Sequence, residues 1–298
     1  MSQARERTVT ESTATKHAVT DRAGRVGRRA LLYASLIALS ALFLFPLYWM
    51  VTTSLKEQGQ VFQVPPLWVP DPWVWENYAE ATHRARLWLW LQNTATITLL
   101  ATAGNVITAS MVGYGFARIR FPGRDFLFLV LLATMMLPGV VTLIPRFILF
   151  REIGWNDTFY PMIVPNWFGG GAFNIFLVRQ YFMTLPRDLD EAAKIDGCSH
   201  WGVWWRILMP IAYPVLVAVG LFSFVAHWQD FMDPLIFLSS ETMKTLSVGL
   251  RAFVNPGDAS WHIAMASSMW LTGPMVLVFF VGQRYFIKGI AMSGITGR

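Results

Sequence analysis

A short polar island between two strongly apolar segments decides the fold of this chain. It reads LPRDLDEAAKIDG from Leu185 to Gly197 and runs on to ILMP from Ile207 to Pro210. Long apolar stretches separated by a short charged loop are typical of a chain that crosses a bilayer several times. We therefore expect the island to lie at the membrane surface, and the distribution of basic residues described below predicts that this surface is the cytoplasmic one.

The island carries the signals of a helical hairpin. Asp188 can cap a helix that starts near Leu189, with Glu191 as the partner in a capping box and acidic groups where the helix dipole favours them. Gly197 tolerates the left-handed conformation that ends a helix, and Ser199 can cap a second helix. Helical spacing predicts one face of that second helix to hold Trp201, Trp204, Trp205 and Leu208.

Two adjacent alanines predict where the hairpin meets another protein. Ala192 and Ala193 share a helix face with Leu189. Because their side chains are small, a second surface could approach the backbone closely there. This spacing favours insertion of the first helix into a groove of a partner.

Composition places the chain in a membrane. Of its 298 residues 54% are hydrophobic and 14% are charged, and the mean hydropathy is +0.43. The single cysteine, Cys198, excludes an internal disulfide and a cysteine-based zinc cluster. The net charge of +6 does not indicate nucleic-acid binding, because the arginines flank apolar segments instead of forming one basic face.

Six segments are apolar and long enough to cross the hydrocarbon core, which takes about 20 helical residues. We therefore predict an all-α polytopic membrane protein. The predicted spans are Leu31 to Val51, Trp88 to Phe116, Phe126 to Phe147, Tyr160 to Phe182, Ile211 to Phe231 and Trp261 to Phe286.

The distribution of basic residues predicts the orientation, because loops rich in lysine and arginine stay in the cytoplasm. Arginines crowd the segment before the first span, the loop after the second and the loop after the fourth. Both termini are therefore expected in the cytoplasm. Residues 1–29 are polar and are predicted to be a disordered tail, followed by a transmembrane domain over residues 30–298 whose first span is retained.

Two predicted spans contain interruptions. Asn166, Asn174 and a run of three glycines from Gly169 to Gly171 divide the fourth, and such breaks survive only against protein or water. The glycine run could be a hinge, a close helix crossing or a break, and it is not a phosphate loop because no Lys-Ser or Lys-Thr follows. Pro138 and Pro145 could kink the third span for a motion or be a static irregularity.

The spacing of the island resembles the EAA loop of binding-protein-dependent ABC importers. The resemblance is carried by Glu191, Ala192 and Ala193, then Asp196 and Gly197, then Ile207 and Pro210, with Met209 where the family usually has leucine. Outside the island, the chain is similar to the sugar-importing branch, the maltose-type inner permeases. The matching blocks include Tyr114–Arg118, Phe121–Arg124, Phe176–Phe182 and Trp228–Phe231, although Gln229 stands where asparagine is common.

This resemblance implies a type I importer permease fold and half of a translocation pathway for a carbohydrate. The loop at about residues 185–210 would couple to a separate ATPase, so ATP and Mg²⁺ would be bound by that partner and no cofactor by this chain. The implied partners are a homologous permease, two cytoplasmic ATPase subunits and an extracytoplasmic solute-binding protein. The implied location is the bacterial or archaeal plasma membrane.

Four polar residues within or beside predicted spans are candidates for lining the solute path: Asn166, Asn174, His227 and Asp230. The asparagines could hydrogen-bond sugar hydroxyls or could join one helix to another, and the second reading is slightly favoured. His227 and Asp230 could line the path or could belong to an interfacial anchor, which is again favoured.

Two other functional classes would each require a feature of their own. A self-contained secondary transporter or channel needs its own ion site or filter near the midplane, and we find no clear one in the sequence. An intramembrane enzyme needs a paired nucleophile and base or a metal cluster. The five histidines are scattered along the chain: His17, His83, His200, His227 and His262.

Overall fold

The computed structural model describes the backbone of residues 2–254 and 260–294, and side chains within residues 27–254 and 260–283. Every regular element in these ranges is helical, which confirms the predicted all-α class. The chain divides into two compact units, Met1–Val74 and Trp75–Arg298, which are described separately.

The first unit is one long helix followed by a folded loop. Helix α1, Ser2–Ser54, contains an apolar stretch, Gly27–Ser54, long enough to cross a membrane. No proline interrupts the chain before Pro46, so the helix can extend beyond its apolar part. The disordered tail over residues 1–29 stays a prediction. Tyr48 of α1 donates a hydrogen bond of 2.7 Å to the carbonyl of Trp68 in the loop.

The second unit contains the remaining helices. They are α2 Glu76–Arg84, α3 Leu87–Arg118, α4 Arg124–Thr134, α5 Gly139–Glu152, α6 Tyr160–Ile163, α7 Asn166–Gly169, α8 Ala172–Thr184, α9 Asp188–Ile195, α10 His200–Gly202, α11 Met209–Ile211, α12 Tyr213–Trp228, α13 Met232–Phe237, α14 Leu246–Gly249 and α15 Trp261–Gly294. A π-helical stretch, Val203–Leu208, joins α10 to α11.

The predicted spans are less continuous than the sequence indicates. Among the described residues three helices could cross a membrane alone, and five spans result if two bent pairs each count as one. The bends are 97° between α4 and α5 and 82° where α11 meets α12. Pro138 precedes α5 at the first bend, and Pro214 lies in the first turn of α12 at the second, as expected of a residue that cannot continue a helix.

The fourth predicted span is broken into α6, α7 and α8. Pro165 separates the first two, and Gly170 and Gly171 adopt φ values of +58° and +74° between the last two. These left-handed glycines end the helix, so no single helix runs from Tyr160 to Phe182. The count of six spans therefore stays a prediction.

Helix α3 lies at the centre of the second unit, and small residues let its neighbours approach. A Cβ atom added to Gly113 would lie 3.0 Å from the side chain of Val178 in α8. Near the C-terminal end of α3, Tyr114 and Ala117 join a buried apolar cluster with Val178 and Phe182. Further members of this cluster come from the polar island and from α12: Ala193, Val203, Trp204, Leu208, Ala212, Val215 and Val219.

Candidate functional site: the α9–α11 hairpin and the polar layer

The polar island forms the predicted helical hairpin, with one correction at its start. Helix α9 begins at Asp188, and its N-cap residue is Arg187, which makes no side-chain capping bond. The predicted cap at Asp188 was therefore wrong by one residue. Asp188, Asp190 and Glu191 all fall in the first turn, where carboxylates interact favourably with the helix dipole.

The turn between the two arms has the predicted geometry. Gly197 has a φ of +80°, and its N–H donates to the carbonyl of Lys194 at 3.0 Å, while Cys198 donates to Ala193 at 2.9 Å. This pair of bonds is the Schellman motif. Ser199 then caps the second arm by accepting a 3.3 Å hydrogen bond from the N–H of Gly202, which confirms the predicted cap.

The two arms do not present the faces that the sequence predicts. Ala193 is 4% exposed and packs into the chain's own core, whereas Ala192 is exposed. The small side chain of Ala193 thus lets α9 approach its own bundle. In the second arm Trp204 and Leu208 are buried while two tryptophans stay outside, so the four residues divide between two faces.

The outer surface of the hairpin exposes large apolar side chains. Ile195 is 87% exposed, Trp201 is 64% exposed and Trp205 is 59% exposed. The turn and the tryptophans line a cavity of about 690 Å³ that also includes Asp196 and Gly197. Large exposed side chains around a concave surface are typical of a protein–protein contact. Glu191 and Asp196 are exposed on the same hairpin, and Pro210 is exposed where Ile207 is partly buried.

An ion pair fixes the hairpin to the end of α3. Nη1 of Arg118 lies 3.1 Å from Oδ2 of Asp190, and the two side chains are 4% and 13% exposed. Nη2 of Arg118 also donates to the carbonyl of Leu185 at 2.8 Å, just before α9. The hydroxyl of Tyr114 lies 3.1 Å from Nδ1 of His200 in the second arm. Both arms of the hairpin therefore contact the last turns of α3.

A layer of uncharged polar side chains lies nearer the middle of α3. Nδ2 of Asn105 donates to Oδ1 of Asn166 at 3.1 Å and lies 3.1 Å from Nε2 of His227. Thr108 donates to the carbonyl of Asn166 at 3.0 Å, and Asn174 donates to the hydroxyl of Ser223 at 3.2 Å. Helices α3, α7, α8 and α12 each contribute to this polar layer. Oδ1 of Asn105 is buried without a hydrogen-bond partner.

The fourth candidate for the solute path lies apart from this layer. The carboxylate of Asp230 accepts hydrogen bonds from the N–H groups of Met232 and Asp233 at 3.1 and 3.4 Å, at the start of α13. Asp233 in turn forms an ion pair with Arg146 of α5. Asp230 therefore bonds the first two N–H groups of α13 from the position before the N-cap residue, Phe231. By contrast, Asn166 and His227 both contact Asn105, and Asn174 contacts Ser223 of α12.

Two residues central to these arrangements were missed by the sequence analysis. Asn105 and Arg118 each bond with partners more than sixty residues away in the chain, at Asn166, His227 and Asp190. A buried asparagine within the second span was a visible signal, since polar groups inside spans need partners. No group of three His, Cys, Asp or Glu side chains that could hold a metal ion occurs in the part of the chain that the structure describes.

Residues 105–291 match the family described as "Binding-protein-dependent transport system inner membrane component". This match covers more than half of the chain and includes the polar layer and the hairpin.

Relatives of similar length align over most of the chain. The chain is 30% identical to the probable ABC transporter permease protein YurM of Bacillus subtilis, with 89% of this chain and 87% of the relative aligned. It is 32% identical to the arabinooligosaccharides transport system permease protein AraQ of Bacillus subtilis, with coverages of 87% and 92%. It is 30% identical to the sn-glycerol-3-phosphate transport system permease protein UgpE of Yersinia enterocolitica, with coverages of 85% and 92%.

The fold is also similar to a solved structure. A chain in the crystal structure of a bacterial ABC transporter involved in the import of the acidic polysaccharide alginate superposes with a TM-score of 0.77. The superposition covers 86% of this chain and 96% of that chain, at 22% sequence identity. At this identity the likeness concerns the fold.

Proposed function

Because the chain belongs to the family of binding-protein-dependent transport system inner membrane components, we propose that it forms half of the translocation pathway of an ATP-driven carbohydrate importer. The self-contained transporter or channel is not favoured by this family membership. Catalysis is the task of a separate ATPase subunit in this proposal, and the chain itself is a permease.

The polar layer supports a neutral, hydroxyl-rich solute. Its side chains are amides, hydroxyls and one imidazole, which donate to and accept from hydroxyl groups. No lysine or arginine among the described residues hydrogen-bonds to Asn105, Asn166 or Asn174. A phosphorylated solute, as transported by the UgpE system, would need cationic partners within the membrane. A carbohydrate is therefore the favoured class, with Asn166, Asn174 and His227 along its path.

The hairpin supports docking to a cytoplasmic ATPase. The single observation that carries this proposal is the division of α9 into two faces. Ala193 and Asp190 hold the helix against the bundle, while Glu191, Ala192 and Ile195 are exposed. A helix that is anchored on one side and open on the other can receive a partner and pass its movement on to the chain.

The anchoring also supports a route for coupling. Arg118 and Asn105 belong to the same helix, α3, and thirteen residues of helix correspond to roughly 20 Å. Because Arg118 contacts both Asp190 and the carbonyl of Leu185, a displacement of the hairpin would pull on the end of α3. The same helix carries Asn105 into the polar layer, so rigid-body movement of α3 would rearrange that layer.

The complete importer would contain further subunits. We propose a homologous permease for the other half of the pathway, two ATPase subunits that bind ATP and Mg²⁺, and an extracytoplasmic solute-binding protein. The bilayer would be a bacterial or archaeal plasma membrane, with both termini and the hairpin in the cytoplasm. The family description, which names an inner membrane component and a binding protein, supports this assembly.

Affinity purification of the full chain from its native membrane in mild detergent tests the proposal. We expect a second permease and a P-loop ATPase to co-purify, with vanadate-sensitive ATP hydrolysis. Gly197→Val is expected to abolish transport and ATPase recovery while the chain stays in the membrane, because a β-branched side chain is strained at a φ of +80°. A lone chain, purified under conditions that preserve other membrane complexes, would contradict the proposal and favour a self-contained transporter.

A further inference from the structure

Four arginines gather at the end of the second unit that carries the hairpin. Arg120 and Arg124 lie where α3 passes into α4, Arg179 lies near the end of α8, and Arg187 precedes α9. A cavity of about 440 Å³ is lined by Arg120, Arg124 and Arg187. A second cavity of about 100 Å³ shares Arg124 and Arg187 with the first and adds Arg179. We call these four residues the arginine cluster.

The positive charge of this cluster exceeds the negative charge beside it, because Asp125 is the one carboxylate among the described residues that line the two cavities. Arg124 donates from Nε to Asp125 at 2.9 Å, and Arg118, which also lines the smaller cavity, is held by Asp190. Within the described residues no carboxylate forms an ion pair with Arg120, Arg179 or Arg187. Nε of Arg179 is buried and has no hydrogen-bond partner. The larger cavity brings Arg120, Arg124 and Arg187 together, and Arg179 lines the smaller cavity beside it. Several guanidinium groups around adjoining cavities predict an anionic ligand.

The surface beside the cluster is apolar. The guanidinium carbon of Arg179 lies 3.9 Å from the centroid of the Phe128 ring, and this contact fixes its plane. On the same helix, α4, Phe126 is 68% exposed and Leu129 is 64% exposed, and Phe126 also lines the larger cavity. Charge at the end of the helix thus continues into an exposed apolar surface, as an amphiphilic ligand requires.

We propose that the arginine cluster binds the phosphate group of an anionic phospholipid. Guanidinium groups match the geometry of phosphate oxygens, and basic pockets between membrane helices suit acidic headgroups. Arg120 and Arg187 would contact the phosphate in the larger cavity, Arg179 would add positive charge from the smaller cavity beside it, and the acyl chains would lie along Phe126 and Leu129. A free phosphate ion shares the headgroup chemistry, but it leaves the apolar surface of α4 unused. None of these residues belongs to the polar layer.

Lipid titration of the full-length chain, purified with its partner subunits and stripped of lipid in detergent, tests the proposal. Binding would be measured by native mass spectrometry for phosphatidylglycerol, for phosphatidylcholine with the same acyl chains, and for inorganic phosphate. The test variant is Arg120→Gln/Arg179→Gln/Arg187→Gln. The matched control is Arg151→Gln, an exposed arginine in the last turn of α5, and the triple lysine variant keeps the charge.

We expect phosphatidylglycerol to bind in preference to phosphatidylcholine. The triple glutamine variant should weaken that binding at least about tenfold, since each basic group near an acidic headgroup contributes on the order of 1 kcal/mol. The lysine variant should retain most of the preference and Arg151→Gln all of it. If Arg179→Gln impairs folding, Arg120→Gln/Arg187→Gln replaces only exposed residues and should still weaken binding.

Three results would overturn the proposal. Equal affinity for the two lipids would show that charge does not select the ligand. Undiminished binding to the glutamine variants would place the lipid elsewhere. Inorganic phosphate that binds as tightly as phosphatidylglycerol and displaces it would assign the cluster to a free ion instead of a lipid.

Discussion

Two glycine turns in this chain share a backbone conformation and differ in their surroundings. Gly170, between α7 and α8, has a φ of +58°, and Gly197, in the hairpin, has a φ of +80°. A Cβ atom on Gly170 would lie 2.5 Å from the backbone nitrogen of Ala109, whereas nothing lies within 4 Å of a Cβ atom on Gly197. One glycine is needed for close packing within the bundle, and the other leaves room for a partner.

The two glycine turns therefore serve different purposes. The break at Gly170 lets α7 and α8 approach α3, so that Asn166 reaches Asn105. The turn at Gly197 only reverses the chain, and the hairpin is held by Arg118 and the buried cluster instead. Substitutions at the first turn should therefore affect folding, and those at the second should affect docking.

The largest effect is expected for Gly170→Ala. The added methyl group meets the main chain of α3, which cannot move away without disturbing the core, so little folded protein should reach the membrane. Gly171→Ala is the matched control, because it also has a positive φ but its Cβ atom would meet only side-chain atoms, Nδ2 of Asn174 at 3.4 Å and Oδ1 of Asn105 at 3.7 Å. Membrane abundance and size-exclusion profiles measure both. Equal loss for the two variants would assign the effect to backbone strain and not to packing.

The next largest effect is expected for Arg118→Ala, which leaves Asp190 buried without its partner. Breaking a buried ion pair costs about 3–5 kcal/mol, so Tm should fall and transport per ATP hydrolysed should drop. Arg118→Asp/Asp190→Arg should recover part of the loss by restoring opposite charges. A double variant no better than the single ones would argue against the ion pair as the link between hairpin and α3.

A smaller effect on stability is expected at Gly197. Valine there should cost about 1–2 kcal/mol of backbone strain and disturb the turn that positions the exposed tryptophans. Asparagine tolerates the left-handed conformation and should keep both ATPase recovery and transport. Tm, ATPase co-purification and solute uptake separate the two variants. Loss of transport in both would indicate that a side chain of any kind is excluded at the docked turn.

The smallest effect is expected from Asp157, in the loop between α5 and α6. The hydroxyl and N–H of Ser240 and the N–H of Ser239 donate to its carboxylate, which lowers the pKa of Asp157. Its stabilising contribution is therefore present above the unfolded pKa of about 3.9 and lost as pH falls through the lower folded value. Asp157→Asn should flatten the dependence of Tm on pH below about pH 4. An unchanged slope would contradict the role of this carboxylate.

The hairpin shows what sequence reasoning could and could not predict. The stop at Gly197 and the cap at Ser199 were predicted correctly because each depends on neighbouring residues alone. The burial of Ala193 against the chain's own core could not be predicted, since helical spacing shows which residues share a face but not what the face meets. The bond between Arg118 and Asp190 joins residues far apart in the chain, and no local pattern reveals it.

The prediction of the membrane spans had the same limit, because contacts between residues far apart in the chain cannot be read from the sequence. Apolar length predicted the long helix α3 well, and the proline at 138 marked a bend that the structure contains. The sequence alone allows three readings of the glycine run: a hinge, a close helix crossing or a break. In the structure the chain breaks at Gly170, and the same residue lies in close contact with α3. Deciding between those readings required the position of Ala109, which the sequence does not provide.

In the proposed complex the exposed face of α9 binds the ATPase, while the opposite face packs against the helix bundle of this chain. ATPase recovery with Ala192→Arg tests it most directly, because Ala192 is exposed and its neighbour Ala193 is buried. Lys194→Ala, also exposed, is the control. We predict that Ala192→Arg loses the ATPase at an unchanged Tm while the control retains it. Full recovery of an active ATPase with Ala192→Arg would contradict the account.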